Sequence, residues 1–295
     1  MKKYFVISLI ASVLSLSCNQ KTDTPNIQAK TINSQTRIVS LNGTITEILC
    51  LSGYEKNLVA VDVTSNYPPG IEQLPKLGHS RNINVEGILS YNPDIIIGIE
   101  EQINPDILSK LYSSGKKVWM FKQQYSVEGT ESLIKNVCDS LQKQELSEKI
   151  IEPIKQELSK VSLLENPPKV LFIYARGAGT LMAAGDNTQM KKIIELAGCQ
   201  NAVKGFDDFK TLSPEILSES NPDVILMFTS GMESIEGENG LLNIPGVKNT
   251  NAGKNKAFIA MDGQYLSGFG PRLGNAVLEL NTKIKELLNQ SQDAP

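Results

Sequence analysis

The sequence predicts an α/β fold of two similar Rossmann-like lobes joined by a single long helix, with a ligand cleft between them. Three observations carry this. First, short β-branched apolar runs without polar alternation recur, as in Ile95-Ile96-Ile97 and Val224-Ile225-Leu226, the mark of parallel strands covered on both faces. Second, stretches of helical period separate these runs, and alternating β and α elements imply parallel sheets flanked by helices. Third, the segment from Glu128 to Leu164 is charged, helical in period and free of glycine after Gly129, so it divides the chain into two halves.

In chain order, the first half is expected to hold strands at Arg37–Leu41, Leu58–Val63 and Lys117–Phe121, with a helix from Thr44 to Leu51 ending at Gly53. Pro153 is expected to break or kink the connecting segment, whose part after Lys143 is long enough to be the rigid connector. Pro167-Pro168 ends it. The second half is expected to hold strands at Lys169–Tyr174 and Lys256–Met261, a helix from Asn187 to Leu196 stopped by Gly198, and a closing helix from Arg272 to Leu288.

An internal repeat ties the halves together. Glu86-Gly-Ile-Leu-Ser-Tyr-Asn92-Pro93-Asp94 leads into Ile95-Ile-Ile, and Glu215-Ile-Leu-Ser-Glu-Ser-Asn221-Pro222-Asp223 leads into Val224-Ile-Leu. Each copy reads as a short helix, a turn set by Asn-Pro-Asp, and a buried strand.

The N-terminus has a different character. Lys2 and Lys3 precede an apolar stretch, Tyr4 to Leu16, too short to span a bilayer comfortably, and Cys18 follows directly. Residues 1–17 read as a signal peptide, and Leu14-Ser-Leu-Ser-Cys18 resembles a bacterial lipoprotein processing site with Cys18 as the lipidated residue. Ser15 stands where an aliphatic residue is usual, so an ordinary cleaved signal peptide is the alternative. Residues 18–35 are polar and read as a lipid-anchored flexible tether. The organisation expected is therefore an N-terminal lobe at 36–126, a helical linker at 127–166 and a C-terminal lobe at 167–295. The protein is expected to be exported and held at a bacterial membrane, on its periplasmic or cell-surface side.

With 29 basic and 32 acidic residues the net charge is −3, and no basic tract points to nucleic acid. Beyond Cys18 the cysteines are Cys50, Cys138 and Cys199, with no CxxC or His-linked metal spacing. They read as buried small hydrophobes rather than reactive thiols.

Several pieces together resemble a known family: Arg37-Ile-Val-Ser-Leu, Thr46-Glu47-Ile48, Thr64-Ser-Asn-Tyr-Pro68, Leu74-Pro-Lys-Leu-Gly78 and the two repeats. In order and spacing, over roughly Arg37 to Leu288, they are similar to the substrate-binding proteins of ABC importers for haem, cobalamin and ferric siderophores. Tyr174-Ala-Arg-Gly-Ala-Gly-Thr-Leu-Met182, Gly185 and Gly268-Phe-Gly-Pro-Arg-Leu-Gly274 look most like the haemin-uptake branch.

The resemblance implies a monomeric carrier, not an enzyme, that takes haem as its transported ligand in iron acquisition and hands it to an ABC permease dimer with its ATPase. It implies Tyr67 as the axial ligand of the haem iron. A phenolate is a hard anionic oxygen suited to Fe(III). Some relatives carry a basic residue two places after that Tyr; here it is Pro69, so a partner for the phenol must come from elsewhere, with Arg81 the candidate. Arg81, Arg176 and Arg272 are candidates for the haem propionates, although Arg272, at the start of the final helix, could instead be a structural cap. His79, the only histidine, is a second candidate iron ligand or a packing or cleft-lining residue. Met182 could be a soft ligand or a cleft wall, and Tyr265 and Phe269 could cover a porphyrin face or pack in the core. Glu86 and Glu215, one per lobe, would dock onto the permease. Other readings are a cobalamin or siderophore carrier, a chelatase-like enzyme, or a surface scaffold.

Overall fold

The computed structural model describes residues 32–292. The signal segment and Cys18 lie outside them. Residues 32–35, the last of the expected tether, form a turn: Thr36 N–H donates to the Asn33 carbonyl at 3.1 Å, and the Asn57 amide binds the carbonyls of Asn33 and Thr36, each at 2.8 Å.

The first half runs β1 (Ile38–Ser40), α1 (Gly43–Leu51), β2 (Leu58–Val61), α2 (Val85–Ser90), β3 (Ile95–Ile99), α3 (Pro105–Ser113) and β4 (Lys117–Phe121). Then come α4 (Val127–Ser140) and α5 (Gln144–Leu158). The second half runs β5 (Lys169–Ala175), β6 (Leu181–Ala184), α6 (Gln189–Leu196), β7 (Gln200–Asn201), β8 (Phe209–Thr211), α7 (Pro214–Ser220), β9 (Val224–Phe228), α8 (Thr229–Ser234), α9 (Gly237–Asn243), α10 (Asn251–Asn255), β10 (Phe258–Met261), α11 (Gly263–Ser267) and α12 (Leu273–Gln292).

The first sheet has order β2-β1-β3-β4 and is parallel throughout. Alternate residues of its strands face opposite layers. Ile38, Ile95 and Ile97 turn toward α1 and α4, while Val39, Leu41 and Ile96 turn toward Ile88 of α2 and Leu111 of α3. The second sheet has order β10-β9-β5-β6-β8. It is mixed rather than parallel, because β6 runs antiparallel to both β5 and β8, while β7 pairs with the first residues of β5. Phe172 and Leu226 face α6 and α12; Leu171 and Ile225 face α7, α8 and α9. The inner faces of both sheets meet in one hydrophobic core that includes α1, α4, α5, α6 and α12.

The repeat acquires a physical meaning here. Asn92 and Asn221 both take positive φ, 44° and 35°, which Asn adopts more readily than most residues. Asp94 and Asp223 each accept the backbone N–H of the first strand in their half, Arg37 and Lys169, both at 2.9 Å. Each motif therefore ends its helix and pins the next strand beside its neighbour.

The link differs in detail from expectation. Helix α4 packs on the first half, a positive-φ turn at Gln142 follows, and α5 is the connector. Helix α5 runs through Pro153 without a break. Its apolar stripe of Ile150, Ile151 and Ile154 is buried against the core, while Pro153 lies on the exposed side, where a missing N–H is tolerated. Gly274 lets α12 lie close on α5, since a Cβ there would stand 2.5 Å from the Ile154 carbonyl oxygen. Among the described residues no helix is long and apolar enough to cross a membrane.

Candidate functional site

The loop after β2 is braced at several points. Asp62, buried, accepts the Thr64 hydroxyl at 2.6 Å and the Ser65 hydroxyl at 2.7 Å. Ser65 Oγ also lies 2.8 Å from Thr46 Oγ1 on α1, and the Lys76 ammonium donates to the carbonyls of Ser65 and Ile71. These contacts bracket Tyr67. The Tyr67–Pro68 peptide is cis, and Tyr67 itself is 41% exposed.

The segment 262–273 of the second half crosses to the first. The Gly268 carbonyl accepts from Thr44 Oγ1 at 2.6 Å and from Gln123 Nε2 at 2.8 Å. Asn66 Nδ2 donates to Asp262 Oδ2 at 3.0 Å. Phe269 is buried with φ of 47°, and its ring meets Tyr125 edge-on at 5.3 Å. Gly270 admits this approach, because a Cβ would lie 2.7 Å from Thr44 Cγ2. Asn42 caps α1 and reaches Gln102, which donates to Gln123, so an amide chain runs from the end of β1 to the Gly268 carbonyl.

Next to this crossing stands a cluster of charged and aromatic side chains. Arg272 makes a bidentate pair with Glu47 of α1, Nη2–Oε1 at 2.6 Å and Nε–Oε2 at 2.9 Å. The Glu47 side chain is 5% exposed. Burial raises the Glu47 pKa above the usual carboxylate value, while the hydrogen bonds and charge of Arg272 pull it down. For Arg272, burial disfavours the cation, but Glu47 more than offsets this and holds its pKa above the ordinary value. The same guanidinium lies 3.9 Å from the ring centre of Tyr67 and 4.9 Å from that of Tyr265, a cation–π arrangement with two rings. Burial, then Glu279, pushes the Tyr265 hydroxyl up to about 12.

A cavity of about 330 Å³ opens beside the cluster, lined by Tyr67, Pro68, Arg272, Leu51, Lys149 and Ile150 among others. That volume falls within the range of small-molecule sites. Leu51 and Tyr67 are two of the few exposed large apolar side chains.

Other expected site residues lie elsewhere. The arginine stacked on Tyr67 is Arg272, not Arg81. Arg81 is exposed on the short 3₁₀ turn Ser80–Asn82, where its charge acts on the Tyr125 hydroxyl. Arg272 precedes α12 and reaches Glu47 rather than capping another element. Arg176 is exposed in the turn after β5, its N–H bonded to the Thr180 carbonyl. Met182 sits half-buried on β6 opposite Tyr174. His79 is exposed, outside the buried core. Glu86 and Glu215 are exposed in the first turns of α2 and α7, capped by Asn84 and Ser213. Cys138 and Cys199 are buried, and Cys50 is half-buried.

Glu47 stands in one of the family-like segments with no role implied for it, and Lys149 stands in none. Glu47 had a signal: a carboxylate among Ile45, Ile48 and Leu49 on the apolar face of a helix needs a buried cation. Lys149 had none, because it is one lysine among many on a charged helix.

A family model described as periplasmic binding protein matches residues 38–265. The structure is similar to that of the periplasmic heme-binding protein RhuT from Roseiflexus sp. RS-1, in its apo form, at 36% identity and a TM-score of 0.82, covering 86% of this chain and 99% of that one. In sequence the chain is similar to an ABC transporter substrate-binding lipoprotein, YvrC, of Bacillus subtilis, 23% identical over 304 residues, 94% of each protein. It is also similar to a vitamin B12-binding protein of Vibrio cholerae, 25% identical over 276 residues, 92% of this chain and 96% of the relative. With two sheets bridged by helices and this family match over most of its length, the chain belongs to the periplasmic binding protein family as an ABC-type substrate-binding protein.

Proposed function

We propose that this protein captures haem at the junction of its two halves and delivers it to an ABC permease dimer and its ATPase, held at the membrane by a lipid on Cys18. The observation that carries the reading is Tyr67: a rigidly braced, exposed phenol at the mouth of a cavity, with a guanidinium on its ring. Its hydroxyl has no hydrogen-bond partner among the described residues and is free to take iron. Ferric haem supplies a Lewis-acidic iron, an apolar porphyrin and two carboxylates. The phenolate of Tyr67 answers the first, Leu51, Pro68 and Tyr265 the second, and Lys149, Arg81 and Arg176 the third. Met182 would add a wall on the second half, and His79 is a second candidate for the iron.

Arg272 is already committed to Glu47, so its role is to hold the Tyr67 ring in place and to set positive charge near the anionic oxygen. Glu86 and Glu215, equivalent in the two repeats, would dock on a two-fold permease. The relative that binds vitamin B12 favours one second reading, a cobalamin carrier; a corrinoid has no need of a phenolate. Titration with ferric haemin and with cyanocobalamin, separately and in competition, decides between them. Saturable haemin binding that excess cobalamin leaves unchanged supports the proposal, whereas tight cobalamin binding overturns it.

A further inference from the structure

The two docking ends are not equivalent. In the first half the residue that opens the sheet, Arg37, closes over its own repeat: its guanidinium donates to the carbonyls of Tyr91 and Asn92 at 2.8–3.2 Å. In the second half the matching residue is Lys169, and it makes no such closure. It lines instead a cavity of about 510 Å³ between α7 and the β7–β8 segment.

Lys169, Lys204 and Lys210 line that cavity, with Glu219 the one acidic residue in its lining; Lys210 Nζ lies over the Phe206 ring at 5.4 Å, and the charge of Lys204 also acts on Asp186. Asn201 also lines it. That residue is 6% exposed, and its amide nitrogen donates to the carbonyls of Ala184 and Val203. Its Oδ1 accepts no hydrogen bond, and a buried acceptor left unpaired is costly. The Asn201 Oδ1 is itself buried away from the cavity surface, so what the cavity asks for is negative charge at its rim. Ile216 and Glu219 of α7 form part of the lining, and Glu215 lies one turn from Glu219 on the same helix face.

We propose that this cavity receives an acidic peptide segment of the permease, its carboxylates meeting the lysines that line it. The inference rests on the reading of Glu215 as a docking residue. It adds that the second half makes a contact the first half cannot, so the carrier docks with its halves inequivalent on a symmetric partner.

The test uses the full-length carrier and its permease–ATPase complex in nanodiscs, with affinity measured at several salt concentrations. Lys204→Glu with Lys210→Glu is expected to weaken docking by about tenfold or more, and Lys204→Gln with Lys210→Gln by less. Haemin titration and unfolding midpoints, run alongside, should match the wild type. Glu86→Gln and Glu215→Gln serve as comparison. If the glutamate variants weaken docking while the lysine variants stay within about twofold of wild type, the proposal is overturned and the docking reading stands. Should neither set weaken docking, both fall. Inorganic phosphate bound by the free wild-type carrier, lost in the lysine variants with docking unchanged, would assign the cavity to a small anion and overturn the proposal.

Discussion

Glu47, Arg272 and Tyr67 form a unit in which each residue constrains the next. A buried carboxylate needs a cation, the cation lies flat on a ring, and the ring is thereby aimed at the cavity. Removing one partner of a buried pair leaves the other charge uncompensated. Arg272→Met is expected to cost about 3 kcal/mol and to lower the melting temperature by roughly 5–10 °C, readable by thermal denaturation. Arg272→Lys should recover part of that loss, because an ammonium keeps the charge without the bidentate fork. The thiols make a second prediction at this scale. Burial pushes Cys199 up to about 12, and burial with nearby Glu55 and Glu47 does the same for Cys50. Both should resist iodoacetamide at pH 8 in the native protein and react once it is unfolded in denaturant. One residue of this unit was legible in the chain. Tyr67 stood out by its motif, whereas Glu47, for all its apolar neighbours, was assigned no role, and Arg272 is 225 residues from Glu47. Nothing local in a sequence announces a contact that distant, and Arg81 and Arg176 stood ahead of Arg272 as candidate cations until the fold placed them.

The elements were legible wherever a local rule acts alone. The repeat predicted α2–β3 and α7–β9 because capping, the Asn turn and the apolar strand are all short-range features. The strands β6 and β8 went unseen: Leu181–Ala184 carries no β-branched residue, and Phe209–Thr211 is three residues long. Pairing of β6 with β5 and of β8 with β6 supplies the stability that propensity does not. The break expected at Pro153 failed for a related reason, since packing of the isoleucine stripe outweighs one missing hydrogen bond. At this scale the clamps of the repeat can be tested. Asp223→Ala removes the acceptor for the Lys169 N–H and should destabilise by about 1 kcal/mol. Asp94→Ala should act alike through Arg37. Chemical denaturation of the two variants should give similar shifts in midpoint with unchanged slope.

For the whole molecule, the shared core and the crossing at 262–273 bear on how the halves can move. Both sheets bury a face in the same hydrophobic cluster, α5 and α12 pack along each other, and Phe269 is seated beside Tyr125. Unfolding should therefore be one cooperative transition in calorimetry, with calorimetric and van't Hoff enthalpies equal, rather than two lobe transitions. Small opening motions remain available where polar contacts bridge the halves, at Asn66–Asp262 and at the Gly268 carbonyl. Those are the contacts a docked permease would disturb to loosen the site around Tyr67. The measurement that goes most directly to the centre of this account is an absorption titration of the protein, from Asn19 onward, with ferric haemin, beside the same titration of Tyr67→Phe. The phenylalanine keeps the ring for Arg272 and removes only the oxygen. Saturable binding with a tyrosinate-type ferric spectrum, lost in the variant, is the result predicted; saturable binding with the same spectrum in both proteins, or none in the folded wild type, would contradict it.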